Sequence, residues 1–375
     1  MERGRNVFGV LVTVTFILIF IIGIPFYLKA KDLKKDETDV LNFVSEHPDK
    51  CSLYLIENDE TVIDYHSEKL MPLASSVKII VAVEFSKQVA DGRLDPNQMI
   101  SLSELDKFYI PRTDGGAHDK WLQSLGDNVV DGHVSLYDVA RGMIQFSSNA
   151  NTEFLIDLLG VDNINARMKL LGIVDHSDIY YFTSSFLLPA AMKHEKKLSN
   201  AETIHLINSM DREQYSSYCK KIHQQLRDER DQLLNHLEKH LHNPKFEGII
   251  SDRLPASTAK EYALLMNKIH SESILSGEGL SVLRHLLESH SYRSDKILRI
   301  GAKGGSTRYV ATIALYAERV DNHRYALAFF VHDPDGVEIT WVQQKFSLFV
   351  KKLLEDPQFK AKVQSQLVSP FHLPY

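Results

Sequence analysis

Met71-Pro72-Leu73-Ala74-Ser75-Ser76-Val77-Lys78 is the stretch that decides the fold, a Ser-x-x-Lys tetrapeptide set where a two-strand pattern runs into an apolar helix. Residues three apart share a helical face, so the Lys78 amine comes within reach of the Ser75 hydroxyl and can draw off its proton. A helix start adds free N–H groups and the positive end of a dipole, the setting an oxyanion needs. Upstream, Cys51 to Ile56 and Thr61 to Tyr65 alternate as strands around the Glu57-Asn58-Asp59-Glu60 turn, a hairpin pattern. Downstream, the helix is expected to end near Asp91-Gly92.

The tetrapeptide alone is weak, because Ser217-Tyr218-Cys219-Lys220 and Ser257-Thr258-Ala259-Lys260 fit the same pattern. The first falls inside a predicted amphipathic helix. The second reads as a helix start, with Thr258 and Glu261 as a capping box. Only Ser75 is followed by further elements in order: Phe146-Ser147-Ser148-Asn149 some way on, and Lys303-Gly304-Gly305 ahead of a strand. These resemble the Ser-Asp-Asn and Lys-Thr-Gly elements of class A β-lactamases and their penicillin-binding relatives, and the resemblance runs from about 40 to 355, the 185–250 region excepted.

The resemblance implies an α/β (α+β) fold, an antiparallel five-stranded sheet flanked by helices together with a mostly helical subdomain. It implies Ser75 as acylated nucleophile and Lys78 as its hydrogen-bonded partner and base. By the same resemblance Ser147 would relay protons to the leaving nitrogen, Asn149 would hold the substrate's side-chain amide, and Lys303 would supply positive charge near Ser147 and the substrate carboxylate. The backbone N–H groups of Ser75 and Ser306 would make the oxyanion hole, with Gly305 and Ser306 expected at the substrate. On their own residue types, Ser147 and Asn149 also fit as helix caps and Lys303 as a strand-edge charge.

Three departures stand out. Ser148 replaces the usual Asp, and Gly304 replaces a hydroxyl residue that helps hold the substrate carboxylate, although Ser306 or Thr307 can return a hydroxyl nearby. The class A glutamate that activates the deacylating water is expected within Tyr181-Phe182-Thr183-Ser184-Ser185-Phe186-Leu187, which has no carboxylate; Glu195 and Glu202 read as surface charges. An acyl-enzyme is therefore expected to form and to turn over slowly. The resemblance implies β-lactam hydrolysis, with a D-Ala-D-Ala peptidase or penicillin-binding protein, another amide or ester hydrolase, or a β-lactam or muropeptide sensor as alternatives. No metal or organic cofactor is called for.

Composition bounds the partners. The 375-residue chain carries a net charge of -6 and no basic, aromatic-rich surface, which argues against nucleic acid. Cys51 and Cys219 read as free structural thiols. Val7 to Leu28 is uncharged and, at 1.5 Å per residue, roughly 33 Å long as a helix, so an uncleaved transmembrane signal anchor is expected, behind a 1–6 cytoplasmic tail. Lys29, Lys31, Lys34 and Lys35 outnumber Arg3 and Arg5 and leave orientation to the resemblance, which implies an extracytoplasmic domain at the cell membrane. A tether over 29–40, a catalytic domain over 41–355 with a helical insertion at about 190–250, and a tail over 356–375 complete the expected organisation. Within the insertion, Ile222, Leu226, Leu233, Leu237 and Leu241 mark one apolar face. His236 and His240 do not follow a zincin pattern. His118 and Trp121 fall in a stretch read as irregular, at the cleft mouth or packed in a loop.

Overall fold

The computed structural model describes residues 32–237, 243–288 and 294–368. The Val7–Leu28 anchor and the 1–6 tail lie outside these residues, as do Leu241, His240 and the end of the chain. Among the described residues, no helix is long and apolar enough to cross a membrane.

Asn58 and Asp59 both take positive φ, 51° and 70°, so the Cys51–Glu57 and Glu60–Tyr65 strands join through a two-residue turn whose twist suits a hairpin. The hairpin forms one edge of a five-stranded antiparallel sheet that continues through Arg324–His332 and Val310–Arg319 to Ile297–Ser306. Helices cover both faces, which is why the Val310–Arg319 strand is buried along nearly its whole length. Ala314, Tyr316, Ala328 and Phe330 face the core built around the Lys78–Ala90 helix. Ile313, Leu315, Leu327 and Phe329 face the Glu37–Glu46 and Ile339–Glu355 helices.

That second layer extends further than expected. Pro357–Leu367 is a helix and no tail: Asp356 caps it, Pro357 opens it, and Phe359, Val363 and Leu367 bury one face. The stretch read as irregular after Gly92 also holds order. Met99–Ser101 pairs with His133–Ser135, and Leu102–Asp106 and Ala117–Leu125 are helical. His118 and Trp121 lie in the latter helix and are buried, so they pack in the interior and do not line the cleft mouth. Cys51 and Cys219 are buried free thiols.

The insertion has Leu188–Lys196, Asn200–Ser209, Arg212–Leu237, which kinks at Glu229, and Glu247–Arg253 as its helical segments. Ser199 and Glu202 form a capping box at the start of the second of these. Ile222, Leu226, Leu233 and Leu237 are buried in the core around the Lys78–Ala90 helix, so the apolar face packs on the body.

Candidate active site

The Ser75 turn is held from the sheet side. Ala74–Val77 is one turn of 3-10 helix leading directly into the Lys78–Ala90 helix, and Ala74, its first residue, sits at φ 45°, a conformation a non-glycine residue keeps only under constraint. The constraint is visible. Ser76 Oγ donates to Lys303 O at 3.2 Å and lies 2.9 Å from Thr312 Oγ1, which donates to Leu73 O at 2.7 Å. Gly305 lies so close that a Cβ there would come 2.3 Å from Ser75 N and 2.9 Å from Leu73 O. Glycine at 305 is therefore a condition of the position Ser75 takes.

Lys78 follows in the first helical turn and is fully buried. Its Nζ donates to Ser147 O at 2.8 Å, Ser147 Oγ at 3.3 Å and Asn149 Oδ1 at 2.9 Å. Among the described residues, these bonds differ from the expected pairing with the Ser75 hydroxyl: the amine is engaged by the Ser147–Asn149 element. Burial, with the neighbouring Lys303 charge, holds the Lys78 pKa well below the usual lysine range, against a weaker opposing pull from Asp114.

Ser147 owes its place to an interrupted helix. Residues 134–146 keep an apolar spacing that suits one helix, but they form a strand end, the Leu136–Arg141 helix, and a wide π turn over Gly142–Phe146. A Cβ at Gly142 would strike the Asn151 amide and the Trp121 indole, so the turn packs tightly there. Ser147 then takes a left-handed conformation, φ 70°, and Ser148 caps the Asn149–Leu159 helix. Ser148 is thus the structural residue of the element: its Oγ lies 2.9 Å from His118 Nδ1 and donates to Asn151 Oδ1 at 2.9 Å. Asn149 Nδ2 donates to Thr113 O at 3.4 Å.

Lys303 reaches the same hydroxyl from the sheet. Its Nζ donates to Ser147 Oγ at 3.1 Å and to Gly304 O at 2.6 Å, and burial pulls its pKa down to about 7. With both lone pairs of Ser147 Oγ engaged by lysines, its O–H is free to donate into the cleft. Ser75, Ser147, Asn149, Lys303, Gly305 and Ser306 all line one cavity of about 530 Å³, joined by Thr113, Asp114 and Gln145.

The sequence reading missed one participant. Glu153, four residues after Asn149 on the same helix face, is fully buried; its Oε2 accepts from Thr183 N at 3.1 Å and its Oε1 from Ser184 Oγ. His223 Nδ1, from the insertion, stands 3.1 Å from Oε1. A carboxylate therefore does meet the 181–187 segment, but from beneath it. The signal was an acidic residue on the buried side of an apolar-faced helix. Glu195 pairs with Lys221 at 2.9 Å and Glu202 serves its helix cap, as surface charges. Among the described residues, no group of three or more potential metal ligands is found.

The chain matches the model of a beta-lactamase enzyme family over residues 33–345. Solved structures of similar fold include a representative class A β-lactamase from Bacteroides cellulosilyticus, at 16% identity and TM-score 0.52, covering 86% of this chain and 99% of that one. A β-lactamase from Sphaerobacter thermophilus matches at 17% identity and TM-score 0.53, over 89% and 98%. A PBP-A mutant solved as an acyl-enzyme complex with penicillin G matches at 17% identity and TM-score 0.50, over 85% and 96%. At these identities the likeness to the solved structures is one of fold. No curated protein matches the chain.

Proposed function

The chain belongs to the beta-lactamase enzyme family and is a serine hydrolase; from that premise we propose that Ser75 is its nucleophile and that β-lactams acylate it. One observation carries this reading: a buried lysine with a depressed pKa, one turn from Ser75, shares the Ser147 hydroxyl with a second buried lysine. A neutral amine keeps two N–H donors and one lone pair, so Lys78 can stay bonded to Ser147 and Asn149 while the lone pair takes the Ser75 proton. Ser75 Oγ then attacks the carbonyl carbon. The N–H groups of Ser75 and Ser306 receive the oxyanion, each such donor being worth about 2.7–4 kcal/mol in the barrier. As the C–N bond breaks, Ser147 Oγ gives its proton to the leaving nitrogen and recovers one from Lys78, now protonated. Lys303 draws in the substrate carboxylate, a role Gly304 leaves without its usual hydroxyl helper.

Release of the acyl group is the slower half-reaction in this reading. The 181–187 segment has no carboxylate to activate water, and Glu153 is already engaged by Thr183, Ser184 and His223. That observation favours, as a second reading, a D-Ala-D-Ala peptidase or a slowly recovering penicillin-binding sensor. The uncharged Val7–Leu28 run supports a single-pass anchor that holds the catalytic domain outside the cytoplasmic membrane, where β-lactams and cell-wall peptides occur.

The test is to mix the domain with a chromogenic cephalosporin and follow colour and intact mass together. Sustained colour supports hydrolysis, and a long-lived adduct absent from Ser75→Ala supports the second reading. No adduct and no turnover with any β-lactam would sink the proposal.

A further inference from the structure

The cleft continues past Ser306. Thr113, Phe186, Ser306 and Thr307 line both the cavity around Ser75 and a second one of about 270 Å³. Phe246 and Ile250, buried residues of the insertion, give the second cavity apolar surface, and Arg112 and Arg308 add charge to its wall. Arg308 Nη1 lies 3.4 Å from Glu247 Oε2, and Arg112 makes no ion pair among the described residues. Guanidinium groups stay charged at every physiological pH, whereas burial brings Lys303 in the main cleft to about 7. The permanent positive charge at this end of the cleft therefore belongs to the two arginines.

The connection also fixes which part of a substrate enters. Asn149, assigned to the substrate's side-chain amide, donates to Thr113 O, and Thr113 is part of the shared wall. Ser147 and Lys303, assigned to the leaving-group side, line only the first cavity. A pocket with apolar surface and guanidinium groups recognises a short apolar chain that ends in an acid.

We propose that the second cavity is a subsite for the acyl side of the substrate, selecting a side chain that runs over Phe186, Phe246 and Ile250 and ends in a carboxylate at Arg112 and Arg308. Glu247 competes for Arg308 and tempers that selection. The assignment rests on the reading that Ser75 is acylated.

Two penicillins with the same nucleus test it, one N-acylated with adipic acid through a single carboxyl and the other with hexanoic acid, equal in length and lacking the terminal acid. Acylation of Ser75 by each is followed by intact mass. The adipoyl to hexanoyl rate ratio is expected to fall at least tenfold in Arg112→Ala/Arg308→Ala and to rise in Glu247→Gln. A ratio unmoved by both variants overturns the subsite. If neither penicillin acylates Ser75, the proposed function has failed, and the subsite is judged separately by calorimetric binding of the two compounds to Ser75→Ala protein with and without the arginine changes. The same ratio of affinities then decides: a fall of tenfold supports the subsite and an unchanged ratio removes it.

Discussion

His223 and Glu153 form a buried ion pair that joins the helical insertion to the wall of the cleft around Ser75, with His223 Nδ1 3.1 Å from Glu153 Oε1 and both side chains at most 2% exposed. His223 Nε2 stands 3.1 Å from Asp157 Oδ1, and its ring stacks on Tyr181 at 3.8 Å and Phe108 at 4.9 Å. Glu153 in turn holds Thr183 and Ser184, between the cavity-lining Phe182 and Phe186. The insertion thus braces a wall of the site.

The pair makes stability depend on pH. Burial pulls the imidazole down, but bonds to Asp157 and Glu153 outweigh it and hold the His223 pKa at about 8, against an ordinary value of about 6.5. Because the folded value is the higher one, the stabilisation is complete below about pH 6.5 and is lost as pH rises through about 8, a component of about 2 kcal/mol. Denaturant unfolding of wild type and His223→Gln at pH 6 and pH 9 measures it. The variant's deficit is expected to shrink by about that amount at the higher pH, and an equal deficit at both would rule the charge out.

Lys303 sets a second pH dependence, this time in binding. With its pKa drawn down to about 7, it loses its charge as pH rises through neutrality, and a β-lactam carboxylate held there as proposed would lose a charged hydrogen bond. Pre-acylation affinity is expected to fall about tenfold by pH 9, the worth of one such bond. Stopped-flow titration of the Lys303→Arg variant, which cannot titrate in this range, should show no such fall.

Thr312→Val tests the lock behind Ser75. The change keeps the shape but removes the hydroxyl that donates to Leu73 O and meets Ser76 Oγ, all buried. A loss of about 1–3 kcal/mol in unfolding free energy is expected, with a slower Ser75 acylation. Unchanged stability would mean that the turn is held by its backbone alone.

Local patterns carried the Cys51–Tyr65 hairpin, the Ser75 turn and each of the three motif elements, because each rests on residues close in the chain. The sheet's closing helix Pro357–Leu367 was missed although Asp356-Pro357 is a helix start, since the family resemblance ended at 355. The π turn over Gly142–Phe146 keeps helical periodicity in sequence and departs from it only where Gly142 meets Trp121 and Asn151. Glu153 and His223 lie 70 residues apart, and their pairing follows from how the insertion docks. Such long-range pairs of buried charge leave only a local hint, an acid or a histidine on an apolar helix face.

The two adjacent glycines after Lys303 differ in what they permit. A Cβ at Gly304 would meet only Thr312 O, at 3.3 Å, a contact that a shift of a few tenths of an ångström relieves. At Gly305 it would meet Ser75 N at 2.3 Å and Leu73 O and Ser76 N at 2.9 Å, all backbone atoms of the turn that the Ser76 and Thr312 hydroxyls pin to the sheet. Backbone held on both sides has nowhere to go, so Gly305→Ala must push the turn and the strand apart. Ser75 N is an assigned oxyanion donor, and removing one such donor costs about a hundredfold or more in rate. Gly305→Ala is therefore expected to slow Ser75 acylation by about that factor and to cost about 1–3 kcal/mol of stability, as overpacking does, while Gly304→Ala stays within about threefold of wild type in rate, a difference under 1 kcal/mol. Acylation timed by intact mass, with thermal unfolding on the same samples, separates the two effects. A Gly305→Ala protein that acylates at the wild-type rate would show that the Ser75 turn is not fixed by its contact with this strand.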